Sequence, residues 1–133
     1  MKQHYFPAGM IAVAAVLGLT LPSTTAAARA QTTVNVIAGK PSELRFTLSK
    51  RTFPHGTVVF RLTNAGALAH TLRICASPKG GSANACAGKV TKLIGHGESV
   101  ALTYTFRSKG TYEYLCTVPG HAAAGMKGDV TVT

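Results

Sequence analysis

From residue 32 onward, apolar and polar positions alternate in short runs, and no stretch sustains a helical period. Thr33-Val34-Asn35-Val36, Glu43-Leu44-Arg45-Phe46-Thr47-Leu48 and Thr57-Val58-Val59-Phe60-Arg61-Leu62 each predict a strand with one face turned inward. So do His70-Thr71-Leu72-Arg73-Ile74, residues 99–106 and Thr111-Tyr112-Glu113-Tyr114-Leu115-Cys116, and Val130 and Val132 share a face of the closing segment. Turn chemistry separates these runs: Ala38-Gly39-Lys40-Pro41, Pro54-His55-Gly56, Asn64-Ala65-Gly66, Gly95-His96-Gly97 and Ser108-Lys109-Gly110. Seven or so short strands at this spacing predict an all-β chain folded as an antiparallel β-sandwich.

The first thirty residues break the pattern. Lys2 and His4 precede an apolar run of 14 residues, 8–21; Pro22-Ser23 ends it, and Ala28-Arg29-Ala30 places small residues before Gln31. That order is the layout of a secretory signal peptide. The run is shorter than the roughly 18–20 residues a spanning helix needs, so a cleaved leader is expected over a retained anchor. No Cys follows the cleavage site to take a lipid, and no paired arginines precede the run, which favours general export. Residues 1–30 are thus expected to be a leader and 31–133 one domain of 103 residues, working in the periplasm or outside the cell.

Without the leader, twelve Lys and Arg face four acids, Glu43, Glu98, Glu113 and Asp129, for a net charge of +8. This favours an acidic partner and is compatible with peripheral contact to an anionic membrane. Nucleic acid is excluded as a partner class, because the bases scatter through alternating strands with no basic helix or stacking motif. Nothing calls for a state beyond a monomer. Three cysteines follow the leader, an odd number for an oxidising compartment. Cys75 and Cys86 flank a segment with Pro78, Gly80, Gly81 and Asn84 that has little to pack. A disulfide between them would staple it, and their ten-residue gap lacks the tight spacing of a zinc ribbon. Cys116 is left over.

Cys116 opens Cys116-Thr117-Val118-Pro119-Gly120-His121-Ala122-Ala123-Ala124-Gly125-Met126, where thiolate, imidazole and thioether recur at five-residue steps on a loop. A loop can curl three such groups around one point, whereas a strand sends alternate side chains to opposite faces. Soft sulfur with imidazole selects copper, and two His, one Cys and a weak axial Met make a blue-copper site. Met126 is the one methionine after the leader. His70, after the Asn64 turn and at the head of a strand, is the candidate second imidazole. His55 and His96 sit in turns and are expected to be exposed.

Asn-x-Gly, then His70, then Tyr-x-Tyr-x-Cys-Thr-x-Pro-Gly-His-x4-Met resembles the cupredoxin family near its plastocyanin and azurin branch, over essentially all of residues 31–133. The resemblance implies an eight-stranded Greek-key sandwich with copper at one end. It also implies His70, Cys116 and His121 as equatorial ligands, and Met126 as the axial one. Many members carry Asn just after the first His ligand, where it ties the two ligand loops together. Here that residue is Thr71, which leaves the tie to a single hydroxyl.

The expectation is therefore a one-electron carrier with a single copper ion, exchanging electrons with acidic redox proteins through His121. The apolar stretch Pro119-Gly120-His121-Ala122-Ala123-Ala124 would be its collar. The alternative is a copper-delivery protein with the same ligands, although no Met- or His-rich tract offers a handover path. An enzyme would need a second copper centre and further His pairs, and a structural zinc domain would not choose Met.

Overall fold

The computed structural model describes residues 1–2, 30–76, 78 and 86–133; the expected leader, apart from its ends, lies outside these. Among the described residues there is no helix, and nine strands run in order. They are β1 (Thr32–Ala38), β2 (Phe46–Leu48), β3 (Thr52–Phe53), β4 (Gly56–Asn64), β5 (Arg73–Cys75), β6 (Gly88–Val90), β7 (Ser99–Phe106), β8 (Gly110–Leu115) and β9 (Lys127–Val132). One sheet has the order β2-β1-β4-β7 and the other β3-β9-β8-β5-β6.

The all-β sandwich expected from the alternation is what forms. Two details differ. β1 pairs with β4 and β3 with β9 in parallel, so both sheets are mixed. The parallel partners are separated by other strands along the chain, and local alternation carries no record of such pairing. The short strands β3 and β6 raise the count to nine, and all three residues of β6 are exposed, leaving no inward face to read.

Period-two patterning explains the core. Val34, Val36, Phe60, Leu62, Leu102 and Phe106 fill the inner face of the first sheet, and Phe53, Ile74, Tyr112, Tyr114, Val130 and Val132 that of the second. Ring pairs bridge the gap, Phe53 to Phe60 at 6.1 Å and Phe46 to Tyr114 at 5.9 Å between centroids. Burying each such side chain stabilises the fold by roughly 1.5–3 kcal/mol. The alternation of β8 carries past its end, so Cys116 follows Tyr112 and Tyr114 inward, whereas Leu115 faces the opposite side.

Leu115 is nonetheless buried, because Cys75, Cys86 and Ala122 cover it. Cys75 and Cys86 are joined by a disulfide, as the sequence predicted, with Cα atoms 5.3 Å apart. The bond thus closes the 76–85 segment and roofs the outer face beside the Cys116 loop. Mass measurement of oxidised protein should find two hydrogens missing, with Cys75 joined to Cys86 in a peptide map. Cys75→Ser with Cys86→Ser should lower unfolding free energy by about 2–3 kcal/mol in urea titration. Unchanged stability would mean that the staple constrains nothing.

Candidate metal centre

Two loops at one end of the sandwich supply the centre. The first runs from β4 to β5 and is organised by Asn64, which is fully buried. Its side-chain amide donates to Leu68 O at 2.7 Å and Ile94 O at 3.1 Å, and its Oδ1 accepts from Gly66 N at 2.9 Å. A buried amide left unpaired costs about 1–3 kcal/mol, so these bonds fix the turn. His70 follows, its backbone bridged to Ile94 in both directions. The expected strand from His70 to Ile74 begins in fact at Arg73; His70 stands on an isolated bridge before it.

The second loop joins β8 to β9. The ladder of those strands continues one step, with Cys116 N donating to Met126 O at 3.0 Å. Met126 N in turn donates to His121 O at 2.9 Å, and Ala124 N to Gly120 O at 3.0 Å. The loop is therefore a tight, internally bonded curl, and all three of its predicted functional residues lie within its frame. Cys116 and Met126 are fully buried and His121 is partly exposed.

His70, Cys116 and His121 bring one donor atom each within 4.8 Å of one another. Both imidazoles turn Nδ1 toward the sulfur, His70 at 4.0 Å and His121 at 3.6 Å from Cys116 Sγ. Donors that each stand roughly 2.0–2.3 Å from a shared ion lie about 3.5–4 Å apart, so this spacing fits a metal. Met126 is tied by its backbone to both Cys116 and His121, and its thioether side chain is fully buried in the same core cluster as Cys116. A thiol, two imidazoles and a thioether suit copper better than zinc, magnesium or calcium. Burial and the nearby His70 ring hold His121 below the usual histidine range, against the pull of Glu43. The neutral imidazole keeps its lone pair for a metal at neutral pH.

Thr71 does the work expected of the residue after the first histidine. Its Oγ1 accepts from Thr117 N at 2.8 Å, lies 2.7 Å from Thr117 Oγ1, and stands 3.8 Å from Cys116 Sγ. One hydroxyl thus ties both loops and touches the sulfur.

Glu43 was missed by sequence reasoning, which placed it in a strand. It lies in the turn before β2, and its Oε1 stands 3.1 Å from His70 Nε2. The same carboxylate accepts from Ala67 N and Leu68 N, both at 2.9 Å. Those two amides, chiefly, pull its pKa down to about 2, so it stays charged at any ordinary pH. The one available signal was an acid immediately following turn residues, Pro41-Ser42, which is where carboxylates bind backbone amides. His55 and His96 take no part: each bonds a backbone carbonyl, Thr133 O at 3.2 Å and Gly66 O at 2.8 Å.

The collar around His121 also differs from expectation. Leu68, Ala69, Leu93, Val118 and Pro119 surround it, with Leu68 and Leu93 about half exposed. The curl of the loop buries Ala122 against the disulfide instead.

A mixed-sheet β-sandwich with two imidazoles converging on a buried thiol at one end has the form of a cupredoxin-type copper protein. Residues 28–133 match the copper binding proteins of the plastocyanin/azurin family, and the chain belongs to that family. Among curated proteins it is 51% identical over 43 residues to Auracyanin-B of Chloroflexus aurantiacus, 32% of this chain and 18% of that protein. It is 45% identical over 40 residues to the copper-resistant cuproprotein CopI of Pseudomonas aeruginosa, 30% of this chain and 22% of that one. The matched segments therefore span less than a quarter of either relative. Solved auracyanins superpose over more: auracyanin B with a TM-score of 0.67 and 29% identity, covering 78% of this chain and 89% of that one. Auracyanin A, a "blue" copper protein of the same bacterium, gives 0.61 and 27%, covering 78% and 100%.

Replacing Thr71 with Val should leave the Thr117 amide short of a partner and cost about 1–3 kcal/mol in urea unfolding. Stability equal to the parent would show that the tie between loops contributes nothing.

Proposed function

We propose that this protein is a one-electron carrier whose single copper ion is held by His70, Cys116, His121 and Met126. The observation carrying this reading is the convergence of two imidazole Nδ1 atoms on a buried thiol already framed by hydrogen bonds. Bound copper supplies a centre that cycles between the +1 and +2 states. The chain holds the donors still: Cys116 by its bond to Met126, His121 by its curl, and both loops by Thr71. Because these donors are held by bonds within the chain, little has to move when an electron arrives or leaves, and the barrier to transfer stays low. Burial keeps water from the sulfur.

His121 is the ligand that reaches the surface, amid Leu68, Leu93, Val118 and Pro119. A partner can press against that apolar rim without stripping water from charges. The net charge of +8 on residues 31–133 then steers an acidic redox protein to it. The leader expected at residues 1–30 places this exchange outside the cytoplasm, and the protein works as a monomer. Its role is carriage of an electron rather than catalysis.

The likeness to CopI favours a second reading, copper binding or delivery at the same site. The tests separate them. Copper(II) added to the metal-free protein should give an intense blue band that a reductant bleaches and an oxidant restores many times over. Ready loss of the metal to a weak chelator in the reduced state would favour delivery.

Cys116→Ser should abolish the blue band, while Met126→Leu should keep it and change the potential. Loss of colour in Cys75→Ser instead would overturn the ligand assignment. Transfer to an acidic partner should slow as salt rises, since exposed charges are screened beyond roughly 8–10 Å. Leu93→Asp should slow it even at high salt with the spectrum unchanged; an unaltered rate in stopped-flow would place the exit elsewhere.

A further inference from the structure

The carboxylate behind His70 has no part in the reading above, yet it is built into the fold with some care. Three donors occupy its two oxygens: the His70 ring and Leu68 N on Oε1, Ala67 N on Oε2. Residue 66 is glycine, and a Cβ there would run into that carboxylate. Gly66 does not adopt a left-handed backbone, and its bare Cα leaves room for the Glu43 carboxylate. His70 itself is fully buried. Its ring could rotate to offer either nitrogen to the sulfur. With Glu43 accepting from Nε2–H, the proton is fixed there and Nδ1 faces Cys116.

Charge acts alongside this orientation. The Cys116 thiolate and Glu43 together carry two negative charges, which balance a divalent copper and exceed a monovalent one by one. An anion placed against one ligand therefore favours the oxidised state. The Glu43 side chain is 36% exposed, so water screens part of this.

Resting on the copper reading, we propose that Glu43 is a positioning residue of the metal centre: it orients His70 through Nε2 and holds the reduction potential down. An anchor for the 66–68 turn alone would need only the two amide bonds.

The test uses the copper-loaded protein, with redox titration followed by the blue band, and 15N NMR of His70 Nε2–H exchange. Glu43→Gln, a neutral isostere, should raise the potential so that the equilibrium shifts about tenfold toward the reduced form, 59 mV for one electron. Gly66→Ala, which displaces the carboxylate without removing it, should shift it the same way. The Nε2 proton should exchange slowly in the parent and fast in Glu43→Ala. Potentials matching the parent in both Glu43→Gln and Gly66→Ala, with only melting temperature lowered, would overturn the proposal. If the parent gives no blue band, the copper reading fails by itself. The positioning claim is then decided in metal-free protein, where equal Nε2–H exchange in parent and Glu43→Ala refutes it and slower exchange in the parent supports it.

Discussion

Between the last paired residues of β8 and β9, Leu115 and Lys127, the antiparallel ladder takes one more step, from Cys116 N to Met126 O. That single backbone bond turns the ligand segment into the closed end of a hairpin whose two legs are core strands. Cys116 and Met126 become its last facing residues, and His121 sits midway around the bend. The strands bury Tyr112, Tyr114, Val130 and Val132 in the sandwich, so the separation of the hairpin legs is set by sheet geometry at about 4.7–4.9 Å. The loop inherits its dimensions from the sheet. Five-residue steps between Cys116, His121 and Met126 are what it takes to go around such a bend and return.

His70 has to be delivered to that hairpin from the other end of a different connection, and here the sandwich alone does not suffice. The loop from β4 to β5 contains small residues with little to bury, so its shape comes from hydrogen bonds. Asn64 draws in Gly66, Leu68 and the Ile94 strand bridge, Glu43 takes the amides of Ala67 and Leu68, and Thr71 reaches across to Thr117. A side-chain amide replacing Thr71 would be longer. The hydroxyl reaches because Thr117 offers both its amide and its own hydroxyl, at 2.8 and 2.7 Å. The pair Thr71 and Thr117 is thus the unit that ties the loops, and neither residue explains it alone.

What could be read from the sequence divides along the same line. The hairpin end was legible because its determinants are local: alternation in residues 111–116, Pro119-Gly120 to turn the chain, and donors at fixed steps. The strands of the core were legible for the same reason, and Cys75 with Cys86 by their flanking of a segment with nothing to pack. Glu43 was not, because it acts on His70 from 27 residues away and looks from its neighbours like one position of a strand. The apolar rim was expected over Pro119 to Ala124; Pro119 does belong to it, but a linear reading cannot tell that the curl turns Ala122 under. Leu68 and Leu93, from two other loops, join Val118 and Pro119 to complete it. Parallel pairing of β1 with β4 and of β3 with β9 leaves no mark on either strand's own pattern.

The packing around the centre is also asymmetric, and under the proposed electron-carrier role this bears on how an electron would leave. On the side away from the rim, Leu115 and Ala122 are sealed by the Cys75–Cys86 disulfide, and Met126 and Cys116 join the main core. Behind His70 stands the charged carboxylate of Glu43. A partner approaching there would have to strip water from an anion, and through the disulfide face it would meet β5 covalently joined to the segment before β6. The remaining direction is past His121, where Leu68, Leu93, Val118 and Pro119 carry no charge. Rigidity behind the donors and a low desolvation cost in front of them arise from one placement. The hairpin end lies at the rim of the sandwich with its inner ligands in the core and one imidazole edge outside.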